Sequence, residues 1–188
     1  MILPILAYGQ PLLRKIAQPI DKDYPNLEQI IADMFETMYS SNGVGLAAPQ
    51  IGLSIRLIVI NTTPFGDDYP DAKNFKQVII NPTILEFSGN DWAFNEGCLS
   101  VPDLREDVIR KEKILIEFYD ENFNFHSKEY EGICSRVIQH EYDHLEGVLF
   151  VDKVSSLKKM LIKRKLSDIS KGIVTHNYKM IFPVQKKI

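Results

Sequence analysis

The sequence predicts an α+β fold: mostly antiparallel strands packed around a central helix that bears the pattern H-E-x-x-H. Three observations carry this. Residues 24–43 and 132–146 repeat their apolar side chains at helical spacing. The run "KILIEFYDENFNFHSKEYEG" (113–132) alternates on both sides of a turn, as a hairpin does. Strand-like runs precede the second helix, so that helix has sheet to pack on.

The elements follow in order. In residues 24–43, Leu27, Ile30, Ile31, Met34, Phe35 and Met38 form one apolar face. Pro25 suits a first helical position and Asn42-Gly43 a stop. "GVGLAAPQIG" (43–52) is too rich in glycine for a regular element, and "IRLIVINT" (55–62) reads as a buried strand. "TPFGDDYPDAKNFK" (63–76) reads as a polar surface loop. "QVIINPTILEFS" (77–88) is a strand broken at Pro82, as an edge or bend. The hairpin turns at 120–124. In the helix 132–146, Ile133, Val137, Ile138 and Leu145 lie near one side. A further helix spans 155–170 and stops at Gly172, and "YKMIFPV" (178–184) is a last strand.

A chain of 188 residues is one domain with a real core. Residues 1–152 read as a catalytic body, and residues 153–188 as a basic helix and tail of the same domain. The body carries 12 Lys and Arg against 24 Asp and Glu; the tail carries 10 against one. That asymmetry points to a basic appendage on an acidic body. No apolar run approaches the ~20 residues of a membrane span, so no membrane partner is expected. The start "MILPILAYGQPLLRK" lacks a basic leader region, so a signal peptide is not expected. Two cysteines make no disulfide framework and fit a reducing compartment.

The stretch "RVIQHEYDHLEG" (136–147) carries the chemistry. Helical residues four apart differ by only ~40°, so His140 and His144 can share a metal. Glu141 sits ~100° round and can reach a water beside that metal. Cys134 cannot be the third ligand on a continuous helix, because it lies about 9 Å along the axis from His140. It reads as a core residue. His126 and His176 read as ordinary surface histidines. Glu146, Asp152 and Asp168 show no metal-facing pattern. Cys98, in the short extended run "NEGCLSVP" (95–102), remains, giving a Cys-His-His site with an open position.

"GVGLAAPQ" (43–50), "EGCLS" (96–100) and "QHEYDH" (139–144) resemble, in this order, the three signature motifs of the peptide deformylase family. "YGQPLLRKIAQPI" (8–20) and "HLEGVLFVD" (144–152) extend the similarity over most of residues 5–152. The resemblance implies an amidase that removes the formyl group from the N-terminal formyl-methionine of new polypeptides, in the bacterial cytoplasm or an organelle. It implies one divalent metal ion, most often Fe2+, for which Zn2+, Ni2+ or Co2+ can substitute. Cys98, His140 and His144 are its expected ligands, and Glu141 is expected to move the proton. The Gln50 side-chain amide and the Leu99 backbone N–H are expected to donate to the oxyanion. Val44, Ile133 and Val137 are expected to line the methionine pocket, with His140 at its floor. Gly45 and Gly97 are expected beside the substrate backbone. Arg136 stands at the expected pocket rim, where some members carry an aliphatic residue. Glu96 and Asp143 are expected behind the ligands, with Arg110 as a partner.

Two other readings compete. An H-E-x-x-H endopeptidase would need a cleft open at both ends and a His or Glu third ligand. A non-catalytic metal binder would lack Glu141 or Gln50, and both are present. The helix "KKMLIKRKLSDISKG" (158–172) is expected to lay Leu157, Met160, Leu161, Leu166 and Ile169 on the body. Its lysines then face outward as a possible ribosome contact.

Overall fold

The computed structural model describes residues 1–183. β1 (Ile5–Leu6) is followed by α1 (Leu27–Ser40), β2 (Gly45–Ala47) and β3 (Leu57–Asn61). β4 (Lys76–Cys98), β5 (Val101–Tyr119) and β6 (Phe125–Glu131) lead into α2 (Gly132–Leu145), α3 (Ser156–Ser170) and β7 (Met180–Ile181). One sheet runs in the order β2-β3-β4-β5-β6, each neighbour antiparallel. β7 pairs in parallel with β1. The expected end of the last strand, Val184, lies outside the described residues.

β3 explains the layering. Its "LIVI" run is apolar at every position because both faces of the sheet are covered there. Leu57 and Val59 join Met34 and Met38 of α1 on one face. Ile58 and Ile60 join Val137, Ile138 and Leu145 of α2 on the other. Each such fully buried side chain contributes about 1.5–3 kcal/mol relative to exposure. The motif helix therefore rests on the sheet, touching β2, β3, β5 and β6.

Several expectations need correction. α1 begins at Leu27 rather than near Tyr24, because Asn26 sits at φ 57, outside the helical region. Residues 43–52 contain β2 and a 3-10 turn, Ala48–Ile51. Residues 63–76 lie largely at the surface, as expected, but with an apolar inner side. Two 3-10 turns there bury Ala72 and pack Phe65, Tyr69 and Phe75 beside Ile133 and Cys134. Pro82 does not end its strand; β4 passes through it with register shifts between Ile80/Thr83 and Ile84/Glu86. A bulge is where a strand tolerates a residue without an N–H.

"NEGCLSVP" is no short run but the tip of a hairpin whose arms are 23 and 19 residues long. Leu85, Phe87 and Ile109 lie exposed on those arms, which blurs the alternation that would have revealed them. His126 is more than a surface residue. Its ring stacks on Phe118, and Nε2 lies 2.8 Å from Asp120 Oδ2. Burial would raise the Asp120 carboxyl, but bonds from His126 and Asn124 bring it down to about 2. α3 docks through Ile162, Leu166 and Ile169 onto Val101, Leu104 and Val108. Leu157, Met160 and Leu161 face solvent instead, since one helix cannot turn both stripes inward.

Candidate metal centre

Gly132, at φ 60, turns the chain from β6 straight into α2, a conformation that favours glycine. The helix is buried almost throughout, and His144 is 1% exposed. Cys98 is the last residue of β4 and pairs with Val101 across the two-residue turn Leu99-Ser100. The hairpin tip thus delivers a thiol to the helix. The Cys98, His140 and His144 ligand atoms lie within 4.8 Å of one another, with Sγ 3.2 Å from His144 Nε2. Cys134 points elsewhere, 3.8 Å from the Thr62 hydroxyl.

Behind the ligands lies a charged network. His140 Nδ1–H donates to Glu96 Oε2 at 2.8 Å, which leaves Nε2 facing the cluster. Glu96 also accepts from Arg110 Nε at 2.7 Å and Nη2 at 2.9 Å. Arg110 Nη1 donates to Asp143 Oδ2 at 2.6 Å. Arg136 is buried and lines the site cavity beside Val137 and Phe94. It donates to Glu96 Oε1 at 2.9 Å, to the Val108 carbonyl at 3.0 Å and to the Trp92 carbonyl, and stacks over the Trp92 ring. Burial alone would raise the Glu96 carboxyl. Bonds from Arg110 and His140 overcome that and hold it well below the usual carboxylate range.

Burial works against charge on both imidazoles. At His140, contacts to Cys98 and Glu96 outweigh it and raise the ring well above its ordinary value. At His144, burial and the neighbouring His140 leave the ring well below.

Gln50 is 1% exposed and its orientation is dictated by its partners. Oε1 accepts the Ala47 N–H at 2.8 Å, so the NH2 end must face Ser100 Oγ at 3.3 Å and Cys98 Sγ at 3.6 Å. The Leu99 N–H donates no hydrogen bond among the described residues. Glu141 is buried, and its Oε2 has no hydrogen-bond partner among the described residues. Burial pushes its carboxyl up to about 7.

These groups meet in a cavity of about 800 Å³, which Glu141, Gln50, Leu99 and His140 all line. Val44, Gly45, Gly97 and Val137 line it as well. Gly45 belongs to β2, the edge of the sheet, so a strand-like ligand has an open side to lie along. Ile133 packs against Phe65 and Phe94, which line the cavity. Phe65 and Phe94 went unnoticed in the sequence. Their signals were Pro64-Phe65 inside a polar stretch and the i, i+2 pair Trp92/Phe94. Residues 175–178 also reach the cavity, including His176.

The polypeptide deformylase family model matches residues 2–160. The chain belongs to that family. A peptide deformylase of Christiangramia forsetii is 56% identical over 194 residues, spanning 100% of this chain and 99% of that protein. One from Flavobacterium johnsoniae is 54% identical with the same coverage. The crystal structure of a peptide deformylase from Legionella pneumophila matches with a TM-score of 0.78 at 42% identity, covering 91% of this chain and 96% of that one.

For a deformylase-family enzyme the donor set fits a divalent ion: one thiol and two imidazoles, one of them oriented by a carboxylate. Gly45 is fitted closely to this site. A Cβ there would lie 2.8 Å from Glu141 Cγ, inside contact distance. Gly45→Ala is expected to displace the carboxylate and lower kcat by about 10²-fold. Metal content should stay at the parent level. Formate release and elemental analysis check both, and a parental kcat would refute the fit.

Proposed function

We propose that this chain hydrolyses the formyl group from formyl-methionine at the N-termini of newly made polypeptides, releasing formate. Its divalent ion, Fe2+ as the native choice, is held by Cys98, His140 and His144. The observation that carries this is the convergence of those ligand atoms, the unpartnered Glu141 oxygen and the Gln50 amide on one cavity. When bound, the ion supplies Lewis acidity, polarising an amide carbonyl and lowering the pKa of water.

The rest is work for the chain's own residues. Glu141 takes the proton of the attacking water and returns it to the departing amine, as its raised carboxyl suits. The Gln50 NH2 and the Leu99 N–H donate to the developing oxyanion, each such donor commonly contributing ~3 kcal/mol. The substrate backbone lies beside Gly45 and Gly97. Its methionine side chain packs on Val44 and Val137, with Ile133 bracing the wall from behind. The working compartment is that of protein synthesis, the bacterial cytoplasm or an organelle.

Anaerobic purification, metal analysis and two parallel substrates test the reading. Formate is expected from a formyl-Met tripeptide, and no cleavage of an N-blocked peptide with internal bonds. Internal cleavage without formate would select the endopeptidase instead.

We also propose that α3 meets ribosomal phosphate. Its basic residues divide into two groups. Lys158 pairs with Glu106 at 2.6 Å and Lys165 with Asp103 at 3.1 Å, so both serve docking to the acidic body. Lys159, Lys163, Arg164 and Lys171 are exposed and form no ion pair among the described residues. Replacing these four with Gln is expected to weaken ribosome co-sedimentation. The salt slope should fall by about one for each phosphate that is no longer neutralised. Activity on a free tripeptide should hold. Identical co-sedimentation across a salt series would mark α3 as a solvated flank.

A further inference from the structure

The cavity has a wall that the ligand motifs do not supply. After α3 the chain doubles back, and residues 175–178 line the same space as Cys98 and Glu141. This wall lies beyond residue 160, where the match to the family model ends. Three fixings hold it. β7 pairs with β1, the Ile5 N–H donating to the Lys179 carbonyl at 2.9 Å. His176 packs edge-on against Tyr178 and Phe182, with centroids 6.3 and 5.4 Å away. The Tyr178 hydroxyl donates to the Leu99 carbonyl at 2.7 Å.

The last bond joins the wall to the turn that follows the cysteine ligand. That turn has other supports. The Tyr8 N–H donates to the Ser100 carbonyl at 2.8 Å, and Gln50 reaches Ser100 Oγ. The wall is tied back by a two-residue strand, by Tyr178 and Val174 packing on the core, and by this hydroxyl, which fixes it to the Leu99 turn. The Tyr178 bond therefore seats the wall against the turn that carries Cys98 into the cleft.

The cavity, at about 800 Å³, is near the upper end of the range for ligand sites, with room beyond a formyl-methionine for further residues of an extended peptide. Thr175, His176 and Asn177 offer hydroxyl, imidazole and carboxamide groups to that extension. We infer that residues 175–178 form a subsite for the substrate residues that follow the methionine, with Tyr178 as the positioning residue that seats it. The inference rests on the deformylase reading.

The test measures KM and kcat on formyl-Met amide, a formyl-Met tripeptide and a formyl-Met pentapeptide. It uses the metal-loaded parent, Tyr178→Phe, and the double variant His176→Ala/Asn177→Ala. The KM penalty is expected to grow with peptide length, reaching about two- to tenfold on the longest, the size of one or two hydrogen bonds. Tyr178→Phe keeps the ring, so it reports even where the double variant folds poorly. A merely structural role would lower activity by the same factor at every length, and that result, or no change at any length, overturns the subsite. A parent that releases no formate from any of the three overturns the deformylase reading, which separates the two failures.

Discussion

Glu141→Gln is expected to lower kcat by about 10²–10⁴-fold, the usual worth of general acid–base catalysis, while metal content stays near the parent level. His140→Ala is expected to lose metal and turnover together. The reasoning lies in the geometry of α2. His140 and His144 are one helical turn apart and lie close to the Cys98 thiol, so they are the proposed ligands of the ion. Glu141 stands a third of a turn away, outside that cluster, yet it lines the same cavity. Its Oε2 is buried without a partner among the described residues, a cost that a fold tolerates where a functional group must stay available. A carboxamide has nearly the carboxylate's shape, so Gln should preserve the packing against Gly45. It cannot carry the proton. Elemental analysis beside single-turnover formate release separates the two roles. Equal metal loss in both variants would assign Glu141 to the ligand set and sink this account.

The site was largely legible in the sequence because its parts are local. The three proposed ligands and the proposed base sit in two short motifs, and helical geometry alone relates His140, Glu141 and His144. The fold was legible where burial is one-sided or complete. α1 shows a clean 3.6-residue period, and β3 an unbroken apolar run. The long β4–β5 hairpin was hidden because its outer portion buries neither face fully, so Leu85, Phe87 and Ile109 contradict the alternation. The pocket position of Arg136 was legible, but a single arginine on an apolar face gives no hint of its partners. Those partners, Glu96 and the Val108 and Trp92 carbonyls, lie on distant strands that only the tertiary fold brings together. The wall at residues 175–178 had no motif at all, and its place depends on a tyrosine meeting a turn 79 residues away.

Glu96→Gln is expected to cost about 3–5 kcal/mol of stability, the usual effect of breaking a buried ion pair from one side. It is also expected to weaken metal retention by about 10–100-fold. Glu96 is the only carboxylate that Arg136 meets among the described residues, and it is the acceptor of the His140 Nδ1–H. Removing its charge strands Arg136 in the core and lets His140 choose another ring orientation or tautomer. Asp143→Asn is the informative contrast. Asp143 also pairs with Arg110, at 2.6 Å, but it makes no bond to a ligand imidazole among the described residues. It should therefore lower stability, and by less, since Lys153 at 3.1 Å is exposed enough to resolvate and Arg110 keeps Glu96. Its resistance to a chelator should match the parent. Denaturant midpoints give the first ordering and a chelator competition series gives the second. If both variants lose metal alike, the effect is general loosening of the core. If Glu96→Gln alone releases the ion, then the carboxylate acts through His140, holding Nε2 toward the cluster while the two arginines hold the carboxylate.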